Sequence, residues 1–279
     1  MIIDNSKANT FRTCPYKYFE KYVKNIEPKP FPGEGYSALE FGSRMHELLE
    51  EHAKGDVVIY SESPNAALEI EAQVMMAAYK AQYPAEEWNI VDVERTLLVQ
   101  LPDSEHVYAF KIDLVVRSHA TGKLSIIDHK TQERTSKSNL PQKWAARDQA
   151  TLYIWGAGQY YKEEIENFIV DILMRQSPAG QKLASFPERQ KLERTPKQIE
   201  IALRDIIFIA DEISACEWMY GHEEPWPANR EECYTWGQCD YYPLHLYGNE
   251  EQTAEIREHK YQKREEYLQI EGLEVVKAL

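Results

Sequence analysis

Apolar residues repeat with a helical period in the first third of the chain and with a strand period after about residue 88. Ser6 to Lys24 reads as a helical, ring-rich segment carrying Phe11, Tyr16, Tyr18, Phe19 and Tyr22. Pro28 to Gly35 is loop-like. The stripe Leu39, Met45, Leu48 and Leu49 predicts a helix from about Ser37 to Ala53, and a third helix follows from about Pro64 to Tyr83. The β-formers of Trp88–Leu101, Val107–Arg117 and Leu124–Asp128 then alternate or run together. Turn signals at Pro102–Asp103–Ser104 and His119–Ala120–Thr121–Gly122 separate them, which predicts a three-stranded antiparallel meander. A helix over roughly Lys143–Tyr161, a strand over Asn167–Met174 and a long helix over Pro196–Tyr220 come next. His222–Tyr247 is irregular, and the tail from Glu250 reads as a charged helix. There is no internal repeat or low-complexity tract. This order predicts one α/β domain with helical additions at both ends.

Composition narrows the class. Apolar residues at 43% and charged residues at 28% support a packed core over 279 residues. Met1–Thr10 lacks an apolar signal core, and runs such as Leu97–Val99 and Ile206–Ala210 fall far short of the about 20 apolar residues that span a bilayer. The expectation is a cytoplasmic protein with no membrane segment and with reduced thiols. Lys plus Arg number 32 against 46 Asp plus Glu, a net charge of -14, which excludes a generally basic nucleic-acid coat. Phosphate binding would have to be local, with metal ions supplying positive charge. Four cysteines are too few for a disulfide scaffold but enough for one metal or iron–sulfur site.

The chemistry concentrates on the meander. Asp113 sits in Lys111–Ile112–Asp113–Leu114–Val115–Val116, where an acid is costly to bury unless it is paired or binds a cation. Asp128 and Lys130, in Ser125–Ile126–Ile127–Asp128–His129–Lys130–Thr131, share one strand face by the period of two. Hairpin pairing brings Asp113 beside them. Two carboxylates and a lysine there form a hard-cation site suited to Mg²⁺ or Mn²⁺ with a substrate phosphate. A solvated ion pair on a half-exposed hairpin is the other reading. Upstream, Gly42 and His46 form Gly-x-x-x-His on a helix, the glycine permitting close approach to a neighbour. Downstream, Gln149 and Tyr153 are four apart and share a helical face.

The order Gly-x-x-x-His, Asp, Asp-x-Lys, Gln-x-x-x-Tyr resembles the RecB-type branch of the PD-(D/E)XK nucleases. That branch includes the AddB nuclease domain and the four-cysteine CRISPR-associated exonucleases. The resemblance covers about residue 5 to residue 246. It implies a restriction-endonuclease-like core, a mixed central sheet flanked by helices. It divides the single nuclease domain 1–279 into an N-terminal segment 1–35 with Cys14, a core 36–195, a helical and Cys-containing segment 196–247 and a charged helix 248–279. It further implies that His46, Asp113 and Asp128 ligate metal with the carbonyl of His129 assisting. Lys130 would be catalytic, and Gln149 and Tyr153 would support it and the DNA. Glu94 is an extra acidic candidate. A glycine common three residues before the first Asp is here Phe110.

The family often ties its ends with a 4Fe–4S cluster held by one upstream and three downstream cysteines. Cys14, in Phe11–Arg12–Thr13–Cys14–Pro15–Tyr16, resembles the first ligand. Cys239 to His245 has the spacing of the last pair, with histidine in place of cysteine, and Cys233 lies further upstream than usual. Three readings stay open for Cys14, Cys233, Cys239 and His245: a Cys₃His cluster, a structural Zn²⁺, or buried thiols alone. Cys216 reads as core. Trp144, Tyr153 and Trp155 are candidates for stacking on single-stranded bases. Lys130, Arg134, Lys137, Lys143 and Arg147 form a local basic group. Pro178–Lys197 reads as a basic flap through Lys182, Arg189, Lys191, Arg194 and Lys197, with a solvated loop as the alternative. The combined expectation is a metal-dependent deoxyribonuclease acting on DNA ends or single strands, with helicase, recombination or CRISPR-adaptation proteins as partners. The alternative is an assembly or nucleic-acid-binding subunit that keeps the fold without cutting.

Overall fold

The backbone of the meander is the frame on which the rest is hung. In the computed structural model, residues 1–29, 36–55, 65–84, 86–133, 140–175, 188–235, 237–246, 250–265 and 268–278 are described. The strands are β1 (Ile2–Ile3), β2 (Ile26–Pro28), β3 (Trp88–Gln100), β4 (Val107–Ser118), β5 (Leu124–Glu133), β6 (Ile165–Arg175), β7 (Glu188–Leu192), β8 (Tyr261–Lys263) and β9 (Val275–Val276). The helices are α1 (Asn5–Thr13), α2 (Pro15–Tyr18), α3 (Ala38–Lys54), α4 (Ala66–Gln82), α5 (Leu140–Ala145), α6 (Asp148–Tyr161), α7 (Pro196–Tyr220), α8 (Tyr242–Leu246) and α9 (Glu250–Lys260). The main sheet runs β7-β6-β5-β4-β3-β9, with β1 added beside β4. The meander β3-β4-β5 is antiparallel, as its turns predict, and β6 joins β5 in parallel after the α6 crossover. This is the mixed sheet with flanking helices expected from the sequence.

Local signals set the helix ends. Ser37 caps α3 in a reciprocal bond pair with Glu40, and Gly55, at φ 74°, closes it in the left-handed conformation. Thr195 and Gln198 form the same kind of box ahead of Pro196 at the start of α7. One sheet face packs on α1, α6 and α7 through Phe110, Ile112, Leu152, Phe168 and Ile206. The other packs on α3 and α4 through Phe41, Met45, Met76 and Leu173.

Several expectations need correction. The N-terminal helix breaks at Cys14, which is extended because Pro15 follows it and crowds the helical conformation of the preceding residue. After α2 the chain makes a π-helical turn over Phe19–Val23. The helix over 143–161 is two helices, parted at an extended Arg147. The tail over 248–279 is not one helix. Helix stops at Lys260, then β8 pairs with β2 and β9 with β3. Tyr261 is buried on the ring of Tyr241, so tertiary packing overrides the charged helical pattern. Residues 188–192 of the expected basic flap are strand β7. Residues 178–187, with Lys182, and the cations Arg134 and Lys137 lie outside the described residues, as do Pro64 and 30–35. Among the described residues no helix is long and apolar enough to cross a membrane.

Phe110 is explained by its partner. Its ring lies under α6, and a Cβ on Gly156 would meet Phe110 Cε1 and Cζ at 2.6 Å. The bulk placed on the strand is matched by a missing side chain on the helix. The same ring lies 4.9 Å from that of Tyr153, tilted by 43°, so this contact sets the height of α6 over the sheet. Gly156→Ala should therefore cost about 1–3 kcal/mol in denaturant unfolding. Phe110→Ala should cost less in the Gly156→Ala background than alone, the sign of direct coupling.

Candidate functional site

The β4–β5 ladder runs from Arg117 and Leu124 to Leu114 and Ile127 and stops there. One more step would set Asp113 against Asp128. Instead the Asp113 carboxylate accepts the backbone N–H of His129 at 2.7 Å, a side chain standing in for a ladder partner. Asp113 and Asp128 are 6% and 3% exposed, so both carboxylates are buried at the point where the strands part. On the other side of β4, the pairs Val93–Leu114 and Arg95–Ile112 put Glu94 opposite Asp113. Glu94 has φ 50°, a left-handed conformation inside a strand that a side-chain-bearing residue holds only under local strain. Its carboxylate pairs with Lys111.

From α3, His46 Nδ1 reaches to 3.4 Å from Asp113 Oδ2 and 4.0 Å from Glu94 Oε1. Gly42, one turn earlier, lets α3 lie this close, since a Cβ there would stand 3.2 Å from Thr131 Oγ1 on β5. Among the described residues, His46, Glu94 and Asp113 are the group whose donor atoms all lie within 4.8 Å of one another. Glu94 thus joins the set more closely than sequence spacing indicated.

Asp128 and Lys130 share a face, as the strand period requires, with Lys130 Nζ 2.7 Å from Asp128 Oδ2. Gln149 Nε2, from the first turn of α6, donates to Asp128 Oδ1 at 3.2 Å. Burial holds the Asp128 carboxyl above its ordinary range; Lys130 opposes this and Asp113 adds to it. Burial also raises Glu94, against Lys111 and with Asp113. Crowded, desolvated carboxylates beside one imidazole are a donor set that a hard divalent cation relieves. His129 turns its side chain to the opposite face, and the structure shows no contact of its carbonyl with the carboxylates.

Tyr153 is placed in the core, 4.9 Å from Phe110 and 5.8 Å from Phe168, with its edge at the cleft. Trp144, Tyr153 and Trp155 are all buried, which overturns their reading as open platforms for bases. Trp144 instead lies 5.7 Å from Lys130 Nζ and 4.1 Å from the Arg147 guanidinium, holding both cations toward the site. The carboxylates open into a cleft of about 600 Å³. Its lining carries seven Lys or Arg side chains against three Asp, the reverse of the chain as a whole.

Cys14, Cys233, Cys239 and His245 line a second cavity, of about 220 Å³. Cys233 Sγ is 3.5 Å from His245 Nε2, and Cys14 Sγ accepts the Asn229 N–H at 3.3 Å. Burial pushes the Cys233 thiol up, and Cys239 and Cys14 push it the same way. Cys216 is half-buried against the main core.

The sequence profile of the PD-(D/E)XK nuclease superfamily matches residues 5–244. The chain belongs to that superfamily. Among solved structures it is similar to a Eubacterium rectale protein described as a "Putative exonuclease", at 14% identity and TM-score 0.49, over 81% of this chain and 84% of that one. It is also similar to SSO0001, at 11% identity and TM-score 0.32, over 71% and 81% of the two chains. No curated protein matches it.

The raised Asp128 carboxyl sets a pH test. A carboxyl whose folded pKa exceeds its unfolded value adds stability at low pH, and that stability is lost as pH rises through the folded value. In chelator at neutral pH, Asp128→Asn should unfold at a denaturant midpoint equal to or above wild type. The advantage should vanish in acid below the ordinary carboxylate range. A lower midpoint at neutral pH would contradict the assignment.

Proposed function

We propose that the protein is a Mg²⁺- or Mn²⁺-dependent deoxyribonuclease of the RecB and AddB type, an exonuclease acting on DNA ends or single strands. The observation that carries this reading is the meeting of Asp113, Asp128 and Lys130 with His46 at the floor of a cationic cleft in an acidic chain. His46, Glu94, Asp113 and Asp128, with the His129 carbonyl, would hold the divalent ion. When bound, such an ion activates water and offsets charge on the phosphate and the leaving oxygen. Lys130, fixed between Asp128 and the Trp144 ring, positions a water or neutralises charge developing at phosphorus. Gln149 fixes the second oxygen of Asp128, so the carboxylate keeps one orientation. Tyr153 holds the turn of α6 that carries Gln149, through its ring contact with Phe110. Lys7, Lys21, Lys143, Arg147 and Arg264 line the cleft and meet a phosphate backbone with positive charge.

Cys14, Cys233, Cys239 and His245 would hold a 4Fe–4S cluster, or a structural Zn²⁺ as the alternative. Convergence of all four on one cavity, with Cys233 beside His245, supports a common ligand. It would staple α1 and α2 to the segment before α9 across a long loop. The partners expected besides DNA are helicase, recombination or CRISPR-adaptation proteins, in the cytoplasm. A non-cleaving subunit is disfavoured by the intact Asp113, Asp128 and Lys130 arrangement.

Incubation with linear, circular and single-stranded DNA in Mg²⁺ or Mn²⁺ tests the activity. Cleavage should stop in chelator, and Asp128→Ala and Lys130→Ala should each lower it at least about 100-fold while circular dichroism stays native. No cleavage of any of these substrates would refute the enzyme. Anaerobically purified protein should be brown with a broad visible absorption, and Cys233→Ala should bleach it. A colourless protein that releases one equivalent of zinc on acid treatment would replace the cluster by Zn²⁺.

A further inference from the structure

A second polar row crosses the sheet one residue along from Asp128. His129 and Asp171 are direct neighbours in the parallel register of β5 and β6, and Asp171 and Arg189 are direct neighbours in the antiparallel register of β6 and β7. On β6 the residues two before and two after Asp171, Ile169 and Leu173, are buried and apolar. Asp171 has no exposed surface. Its Oδ2 stands 3.4 Å from His129 Nδ1 and 3.2 Å from Arg189 Nε. Arg189 is fixed in turn by bonds of 2.7 and 2.8 Å to Glu86 and 2.9 Å to the Tyr79 hydroxyl, with the Tyr83 ring 3.4 Å away.

A buried ion pair of this kind adds little stability over apolar side chains of the same volume. Its position indicates another use. Beyond Ile127, β5 has lost β4 as a ladder partner, and its tie on that side is the His129 N–H to Asp113. The residues on either side of His129 are Asp128 and Lys130. Any sideways or twisting movement of His129 therefore changes the spacing of Asp113, Asp128 and Lys130 together, and reactions of this kind lose rate steeply with small misplacements.

We propose that Asp171, locked by Arg189, clamps the His129 imidazole and so sets the peptide that aligns Asp113, Asp128 and Lys130, making Asp171 and Arg189 positioning residues for phosphodiester cleavage. This rests on the nuclease reading above. Asp171→Asn keeps the volume of the side chain and removes its charge. In that variant kcat should fall about tenfold or more, with KM and the DNA Kd in chelator within twofold of wild type. His129→Phe should lose as much, and the double variant should lose no more than His129→Phe alone. Wild-type kcat in Asp171→Asn, or losses that multiply in the double variant, would overturn the clamp. A readout free of activity separates this from the nuclease reading. In ¹⁵N-labelled protein, Asp171→Asn should speed hydrogen exchange of the His129 amide about tenfold relative to the Ile127 amide. Equal protection of both amides would overturn the proposal even if the enzyme cuts. Selective loss at His129 would sustain the clamp even if no DNA is cut, and only the nuclease reading would then fall.

Discussion

The hydrogen bond from the His129 amide to the Asp113 carboxylate is the contact on which the site depends. It forms where the β4–β5 ladder ends, and it exchanges a main-chain partner for a side chain. That exchange opens the sheet just enough for two buried carboxylates, Asp113 and Asp128, to face one cleft. It also satisfies a backbone donor that would otherwise be buried without a partner. The strained backbone of Glu94 on the neighbouring strand and the close approach of α3 at Gly42 serve the same small volume. Each is unfavourable locally and is held by the rigid strands around it.

Packing behind the site has the same logic of matched pairs. Phe110 fills the space that Gly156 vacates, so α6 settles at a height that lets Gln149 reach Asp128. Trp144 is buried, yet it holds Lys130 and Arg147 by its faces. Aromatic side chains here shape the cleft from beneath, where their contribution is rigidity and the placing of cations. The charge balance is local: an acidic chain still presents a cationic lining at this cleft.

Much of this was legible in the sequence. Strand alternation put Asp128 and Lys130 on one face, the turn signals fixed the meander, and Gly42 with His46 marked the helix that approaches it. The resemblance to four-cysteine nucleases implied a joint site for Cys14, Cys233, Cys239 and His245, and these four line one cavity. What was not legible depends on register. Composition alone cannot separate a buried Trp144, Tyr153 or Trp155 from an exposed stacking surface. Glu-Arg-Gln-Lys-Leu over 188–192 has almost no apolar alternation, so β7 forms because β6 offers an edge and because rings cover Arg189. The pairing of His129 with Asp171 and Arg189 follows from the order of strands, and no spacing along the chain reveals it. The charged tail shows the same limit, since β8 and β9 are two or three residues long and exist only through their partners.

The carboxylates gathered at the end of β4 and β5 would together form a divalent-cation centre. Electron paramagnetic resonance of Mn²⁺ titrated with the apoprotein tests it most directly, because free Mn²⁺ gives a signal that binding removes. Wild-type protein should remove that signal saturably, and Asp113→Asn, which keeps the shape of the side chain and whose circular dichroism should stay native, should leave it almost unchanged. Equal Mn²⁺ uptake by both proteins would contradict the account.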